Sequence, residues 1–219
     1  NLPSRDVKKK ALKNAILPPD NHVILNVDSS QIEARILVWL AGQHDQVELY
    51  RQGKDVYCDF ASRVYKKTIN KRNKKERAVG KTCILGLGYG TGHVKLKGVL
   101  KLNAGIEVNE IESKRLVKLY REVNHEVVKL WEECDRALRD IASWPADRLP
   151  YYLGSGKCLL VEPKGIKLPN GLYITYPDLQ LGSDGYEYKS RRGTISIWGG
   201  AVVENVVQAL ARIVIGEQM

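Results

Sequence analysis

Arg77-Ala-Val-Gly-Lys81-Thr-Cys-Ile-Leu85-Gly86-Leu-Gly-Tyr89-Gly90 is the stretch from which the rest of the chain can be read. On a helix, Arg77, Lys81 and Leu85 fall at i, i+4 and i+8 and make one stripe. Two cations one turn apart suit a triphosphate, which lysine holds as a point charge and arginine as a fork. Gly80-Lys81-Thr82 ends like a phosphate-binding P-loop, but the glycine required five positions earlier is Lys75, and no strand precedes it. Gly86, Gly88 and Gly90 do not make a dinucleotide-binding GxGxxG either, because position 91 is Thr.

Working outward toward the N-terminus, His22–Asp28 (HVILNVD) is apolar, β-branched and bounded by turn residues. This pattern predicts a buried strand with Asp28 at its C-terminal end, a good place to ligate a hard cation such as Mg²⁺. A helix is predicted over Ser30–Leu40, with Ile32, Ile36 and Leu40 on one face and Ser29 or Ser30 as N-cap. Gln31 and Arg35 would then share a face while Glu33 points elsewhere; ordinary solvated charge is the plainer reading of Glu33 and Arg35.

Toward the C-terminus, helical patterns cover roughly 45–51, 56–66, 73–87, 92–101, 109–122 and 124–142. After Pro145, short strands or hairpin arms are predicted at Tyr151–Leu153, Cys158–Val161, Leu172–Tyr176, Tyr186–Lys189 and Thr194–Trp198, then a helix over about Ala201–Ile215. The order predicts an α+β fold with a helical insertion.

The chain has 219 residues, with 35 Lys and Arg against 25 Asp and Glu, a formal charge of +10. That balance favours polyanions. Its distribution sharpens the point: Arg63, Lys66, Lys67, Lys71, Arg72, Lys74, Lys75 and Arg77 face only Glu76 within the same span. Four scattered cysteines without a CxxC pair argue against a zinc site or disulfide framework. His125-Glu126 opens like a zincin helix, but position 129 is Lys. The first residues lack the apolar segment of a signal peptide, and no run reads as long enough to span a bilayer. An intracellular protein that does not enter a membrane is expected.

Asp28-Ser-Ser-Gln31-Ile-Glu33-Ala-Arg35 resembles motif A of family A DNA polymerases, and Arg77–Gly90 resembles motif B, the RxxxKxxx(F/Y)GxxYG helix. Their separation is similar to the family's. Asn1-Leu-Pro-Ser-Arg5 resembles the family's N(I/L)PxR segment. Gly53-Lys54-Asp55 resembles the GxD that opens a fingers helix, and Glu204–Arg212 resembles the ENxVQAxAR helix of phage-type members.

The resemblance implies a right-hand polymerase palm segment with a mostly helical fingers insertion. Residues 1–44 would be palm with motif A. Residues 45–198 would be fingers, with the motif B helix at about 73–89 and a hairpin-rich part after 145. Residues 199–219 would form the palm helix before motif C. The implied reaction is template-directed, two-metal nucleotidyl transfer from dNTPs on primer–template DNA, in the cytoplasm of a bacterium or phage-infected host. Asp28 would ligate Mg²⁺. Gln31, Glu33 (as steric gate against the 2′-OH), Arg77, Lys81, Leu85 and Tyr89 would contact the nucleotide, and Lys81 would also protonate pyrophosphate. Arg5, Tyr89, Asn205 and Gln208 would contact DNA.

Three positions depart from the family pattern. Leu85 stands where the family has Phe or Tyr, Tyr57 where a His is common, and Ile213 where Asp is usual. A tyrosine at the position of Leu85 would also make the enzyme tolerant of sugars lacking the 3′-OH. The second carboxylate of the family's metal site, from a His-Asp-Glu hairpin, is expected beyond Met219. Asp178 and Asp184 read as loop residues. Activity is therefore expected to need a complementary segment or chain carrying the thumb and that hairpin. A non-catalytic nucleic-acid- or nucleotide-binding remnant is the alternative. A single-subunit RNA polymerase is disfavoured by Glu33.

Overall fold

The computed structural model of the chain describes residues 15–25 and 28–218. The described residues up to Ser30 and those from Gln31 onward belong to two units. In the first, the described residues form neither helix nor strand; a turn closes from the His22 amide to the Pro19 carbonyl at 3.1 Å. The predicted strand over His22–Asp28 is therefore not found at 22–25 or at 28, and residues 26 and 27 lie outside the described residues. Val23 and Leu25 are 81% and 83% exposed. Apolar, β-branched residues make a strand only where a neighbouring strand takes up their backbone groups, and these have none among the described residues.

The second unit is α+β, as expected. It runs α1 (Ile32–Ala41), α2 (His44–Arg51), α3 (Val56–Tyr65), α4 (Lys74–Leu87), α5 (His93–Ala104), α6 (Glu110–Val123) and α7 (His125–Ala142). Seven short strands follow: β1 (Tyr151–Leu153), β2 (Leu159–Glu162), β3 (Gly165–Lys167), β4 (Tyr173–Ile174), β5 (Gln180–Gly182), β6 (Gly185–Ser190) and β7 (Gly193–Ile197), before α8 (Gly199–Glu217). All eight helical patterns of this unit are found within a few residues of their predicted ends. The strands β3 and β5 were not anticipated; three residues are too few to show alternation. The predicted strand 172–176 shrinks to β4, with Tyr176 buried against the core instead.

Strands β1 to β4 form one antiparallel meander, with Val161 opposite both Tyr151 and Ile166. Strands β5 to β7 form a second, with Tyr188 opposite Ile195. The first meander is tied to α1 where the Ser155 amide donates to the Leu40 carbonyl at 2.8 Å. Helices α1, α7 and α8 pack on one another, and α3, α4, α5 and α6 form an adjoining layer. One apolar core runs through both, from Leu37 and Leu40 through Leu130, Cys134 and Leu138 to Val203 and Val207. Helix α8 is long and apolar enough by composition to cross a membrane, which corrects the reading that no run has that length. Its inner face, Val202, Val203, Val206, Val207 and Leu210, is buried in this core, which accounts for the apolarity.

Candidate nucleotide and nucleic-acid site

The position of α4 is set by a close backbone approach. A Cβ on Gly80 would lie 2.1 Å from the Tyr57 carbonyl oxygen, so α3 and α4 touch where no other residue fits. This explains the glycine in Gly80-Lys81-Thr82 as a packing residue. Val79, Thr82, Cys83, Ile84 and Leu87 turn inward. Arg77, Lys81 and Leu85 share the outward face, with Lys81 exposed and Leu85 38% exposed. The predicted stripe is present, and the reading of Leu85 as a core residue is ruled out.

Arg77 is oriented by a residue that spacing alone did not reveal. Asp55 caps α3, accepting from the Tyr57 and Cys58 amides at 3.1 Å each, and its carboxylate also accepts from Arg77 Nε at 2.8 Å. The Asp55 side chain is only 13% exposed. The guanidinium lies over the Tyr57 ring, 5.2 Å from its centre, a cation–π contact. Burial raises the Asp55 pKa, but the Arg77 hydrogen bond and the two amides outweigh it and hold the carboxyl below its usual range. Because Asp55 takes Nε, the terminal amino groups of Arg77 keep the geometry of a fork. The signal available in sequence was an N-cap aspartate before an apolar helix; nothing tied it to an arginine 22 residues away.

The depressed pKa carries a stability consequence. Asp55 contributes above its unfolded value of about pH 4, and that contribution is lost as pH falls through the lower folded value. Asp55→Asn keeps a capping oxygen and removes the charge, whereas Asp55→Ala removes both and costs about 1 kcal/mol more. Denaturant melts should show the stability gap between wild type and Asp55→Asn at neutral pH narrowing below about pH 4. A gap independent of pH would show that the carboxylate charge is not its source.

The far end of α4 brings three helices together. Tyr89 follows the helix, with its phenol near enough to Glu33 of α1 to feel that carboxylate. Burial first, then the carboxylates of Glu33 and of Glu204 on α8, push the phenol's pKa up. The first turn of α8 is drawn close: a Cβ on Gly200 would lie 2.5 Å from the Tyr89 carbonyl oxygen. Trp131 of α7 donates to the Gly88 carbonyl at 2.9 Å, fixing the turn that carries Tyr89. Gln208 is exposed one turn beyond Glu204 and donates to it at 3.3 Å. Asn205 is half-buried and donates to the Tyr176 hydroxyl at 3.2 Å. Glu33, Tyr89 and Glu204 are thus brought together, with Gln208 beside Glu204; Asn205 is engaged with the strand region.

Other expectations are met differently. The N-cap of α1 is Gln31, not Ser29 or Ser30, and it makes no side-chain capping bond. Its left-handed backbone (φ 60°) takes Gln31 off the helix, so the shared face with Arg35 is not formed. Arg35 stacks on Tyr50, 4.7 Å from the ring centre. Ile213, where an aspartate was the family expectation, lines an apolar cleft with Ile32, Ile36, Trp39 and Leu210. Asp178 sits in a turn with φ 52° and pairs with Lys189 at 3.2 Å. Arg5 and the Asn1–Arg5 segment lie outside the described residues. All four cysteines are free.

Asp28 is exposed. Among the described residues, no three His, Cys, Asp or Glu side chains gather into a metal-holding group. One carboxylate is a small part of the six-oxygen shell Mg²⁺ takes. The described residues therefore do not make a metal centre by themselves.

Comparison with known proteins bears on the motifs. A family model described as DNA polymerase family A matches residues 1–141. The DNA polymerase of Bacillus phage SP02 is 31% identical over 222 residues, covering 94% of this chain and 33% of that protein. DNA polymerase I of Helicobacter pylori is 30% identical over 114 residues, covering 52% of this chain and 12% of that protein. The thermostable DNA polymerase I of Thermus thermophilus is 26% identical over 102 residues, covering 47% and 12%. The chain thus spans about a third of the phage relative and far less of the bacterial ones. A match over residues 1–141, carrying both the Asp28–Arg35 and Arg77–Gly90 motifs, shows the family, and the chain belongs to DNA polymerase family A.

Proposed function

We propose that the chain is the palm–fingers portion of a template-directed DNA polymerase, and that α4 is its nucleotide-gripping helix. The observation that carries this reading is the outward stripe of Arg77, Lys81 and Leu85, with Arg77 already aimed by Asp55. Arg77 offers a fork and Lys81 a point charge to the triphosphate of an incoming dNTP. At the other end of the helix, Tyr89 near Glu33 forms a floor beside the sugar and the templating base. Glu33 crowds the 2′ position, and Gln208 with Asn205 reads the minor groove, whose acceptors are shared by all base pairs. Asp28 supplies one carboxylate to a Mg²⁺ site whose other ligands come from outside the described residues.

Residues 1–44 and 199–219 are assigned to the palm and 45–198 to the fingers, with synthesis in the cytoplasm of a bacterium or an infected host. Primer–template DNA and dNTPs are the substrates, and complementary polymerase segments the partners. The test is primer extension by the chain, alone and together with segments supplying the thumb and the His-Asp-Glu hairpin of a phage-type relative. Template-directed extension only in the combined sample is expected. A combined sample that binds DNA but extends nothing favours the remnant reading instead.

Leu85 offers an incoming base dispersion contact without a π-face. Base–aromatic stacking is worth roughly 1–3 kcal/mol, so Leu85→Tyr should lower the KM for dNTPs by about fivefold or more. The added hydroxyl should also relax discrimination against dideoxynucleotides. Leu85 already faces solvent, so the melting temperature should hardly move. Steady-state kinetics with both nucleotide types, paired with a melting curve, checks this; unchanged KM and discrimination would place Leu85 away from the nucleotide.

A further inference from the structure

The link between α3 and α4 is a built turn. Ile69 is 4% exposed and packs on Cys58 and Ala61 in a small cluster of its own. Ser62 ties the same point, accepting from the Ile69 amide at 2.9 Å and donating to the Cys58 carbonyl at 2.8 Å. Asn70 and Asn73 lock the rest: the Asn73 side chain accepts from the Asn70 amide, and the Asn70 side chain accepts from the Arg72 amide. The backbone that carries the basic run is therefore fixed before any ligand arrives.

The carboxylates around this turn are all taken by three of its eight cations. Arg63 pairs with Asp59, Lys67 with Glu76 and Arg77 with Asp55. Lys66, Lys71, Arg72, Lys74 and Lys75 are exposed and form no ion pair with any described residue. Lys75 adds only a through-space attraction on Glu76. Five like charges on one rigid turn repel one another, a cost relieved by a polyanion. Discrete phosphates on a flexible chain match such a surface; the short Arg77–Lys81 pair is sized for one triphosphate.

We propose that the 66–75 turn is a second phosphate-binding surface, separate from the nucleotide grip, which holds the phosphodiester backbone of a nucleic-acid strand without reading its sequence. The proposal deepens the polymerase reading and rests on it for the identity of the polyanion. The experiment uses the 219-residue chain and a Lys71→Ala/Arg72→Ala/Lys75→Ala variant, whose changes are all at exposed side chains. Fluorescence anisotropy is followed against salt with a labelled single-stranded oligonucleotide and, in a parallel arm, a duplex. Each phosphate contact contributes about 0.7 to the log–log salt slope on single strands and about 0.9 on duplex. Removing three cations should therefore flatten the slope by about 2 or more in at least one arm. Binding of dATP should stay unchanged. A slope and affinity unaltered in both arms would overturn the proposal while leaving the nucleotide reading standing. A flattened slope in a chain that binds no dATP would keep the surface and remove the polymerase reading instead.

Discussion

Replacing Gly80 by alanine should destabilise the chain by about 3 kcal/mol, the upper end of what overpacking costs. The added Cβ would meet the Tyr57 carbonyl oxygen at 2.1 Å and Ala61 Cβ at 3.1 Å. A backbone carbonyl cannot swing aside as a long side chain can, so α3 and α4 must separate. The same substitution at Gly86, six residues along the same helix, should act in the opposite direction. Nothing lies within 4 Å of the position its Cβ would take, and alanine is favoured over glycine in a helix by up to about 1 kcal/mol. Equilibrium unfolding of the two variants checks both signs together. A Gly80→Ala variant that lost no stability would show the close contact between α3 and α4 to be wrong, and a loss at Gly86 would show that its surroundings are not open. Because Asp55 caps α3 and Tyr57 lies on it, separating the helices should also release Arg77 and weaken nucleotide binding in the Gly80→Ala variant.

The helices of the second unit were legible because each buries a face at the 3.6-residue period and starts or stops on a readable signal. Asp55 before Val56 and Asn109 before Glu110 cap their helices with their side chains, a signal the residue types carry. The stripe on α4 was legible for the same reason, since i and i+4 spacing is a property of the helix alone. What failed was of two kinds. Short strands such as β3 and β5 exist because neighbours pair with them, and three residues carry no period of their own. The run His22–Leu25 has strand composition but no partner among the described residues, so composition overstated it. Contacts across long separations were also hidden: Asp55 with Arg77, Glu33 with Tyr89, and Gly200 against the Tyr89 backbone depend on how the helices cross. Ile213 shows the benefit of having the fold, since its departure from the family pattern becomes an apolar residue in an apolar cleft.

Lys81→Ala should cost the polymerase, assembled with its complementary segments, about 10²- to 10³-fold in kcat, the loss typical of removing one preorganised donor from developing charge. Lys81 is exposed on α4 and pairs with no described carboxylate, so truncating it leaves no buried group unsatisfied. The fold should be untouched, and a melting curve within a degree or two of wild type is part of the expectation. Nucleotide affinity should fall as well, because the triphosphate is held in the ground state too. Lys75→Ala, six residues earlier on the same helix and outside the stripe, removes an equal charge and, with primer–template DNA saturating so that any loss at the 66–75 surface is masked, is the matched control. The decisive measurement is therefore single-turnover incorporation of one dNTP at varied concentration by wild type, Lys81→Ala and Lys75→Ala. A large loss in both maximal rate and dNTP affinity for Lys81→Ala, with Lys75→Ala close to wild type, is the predicted result. Equal behaviour of the two variants would contradict the assignment of the α4 stripe as the nucleotide grip.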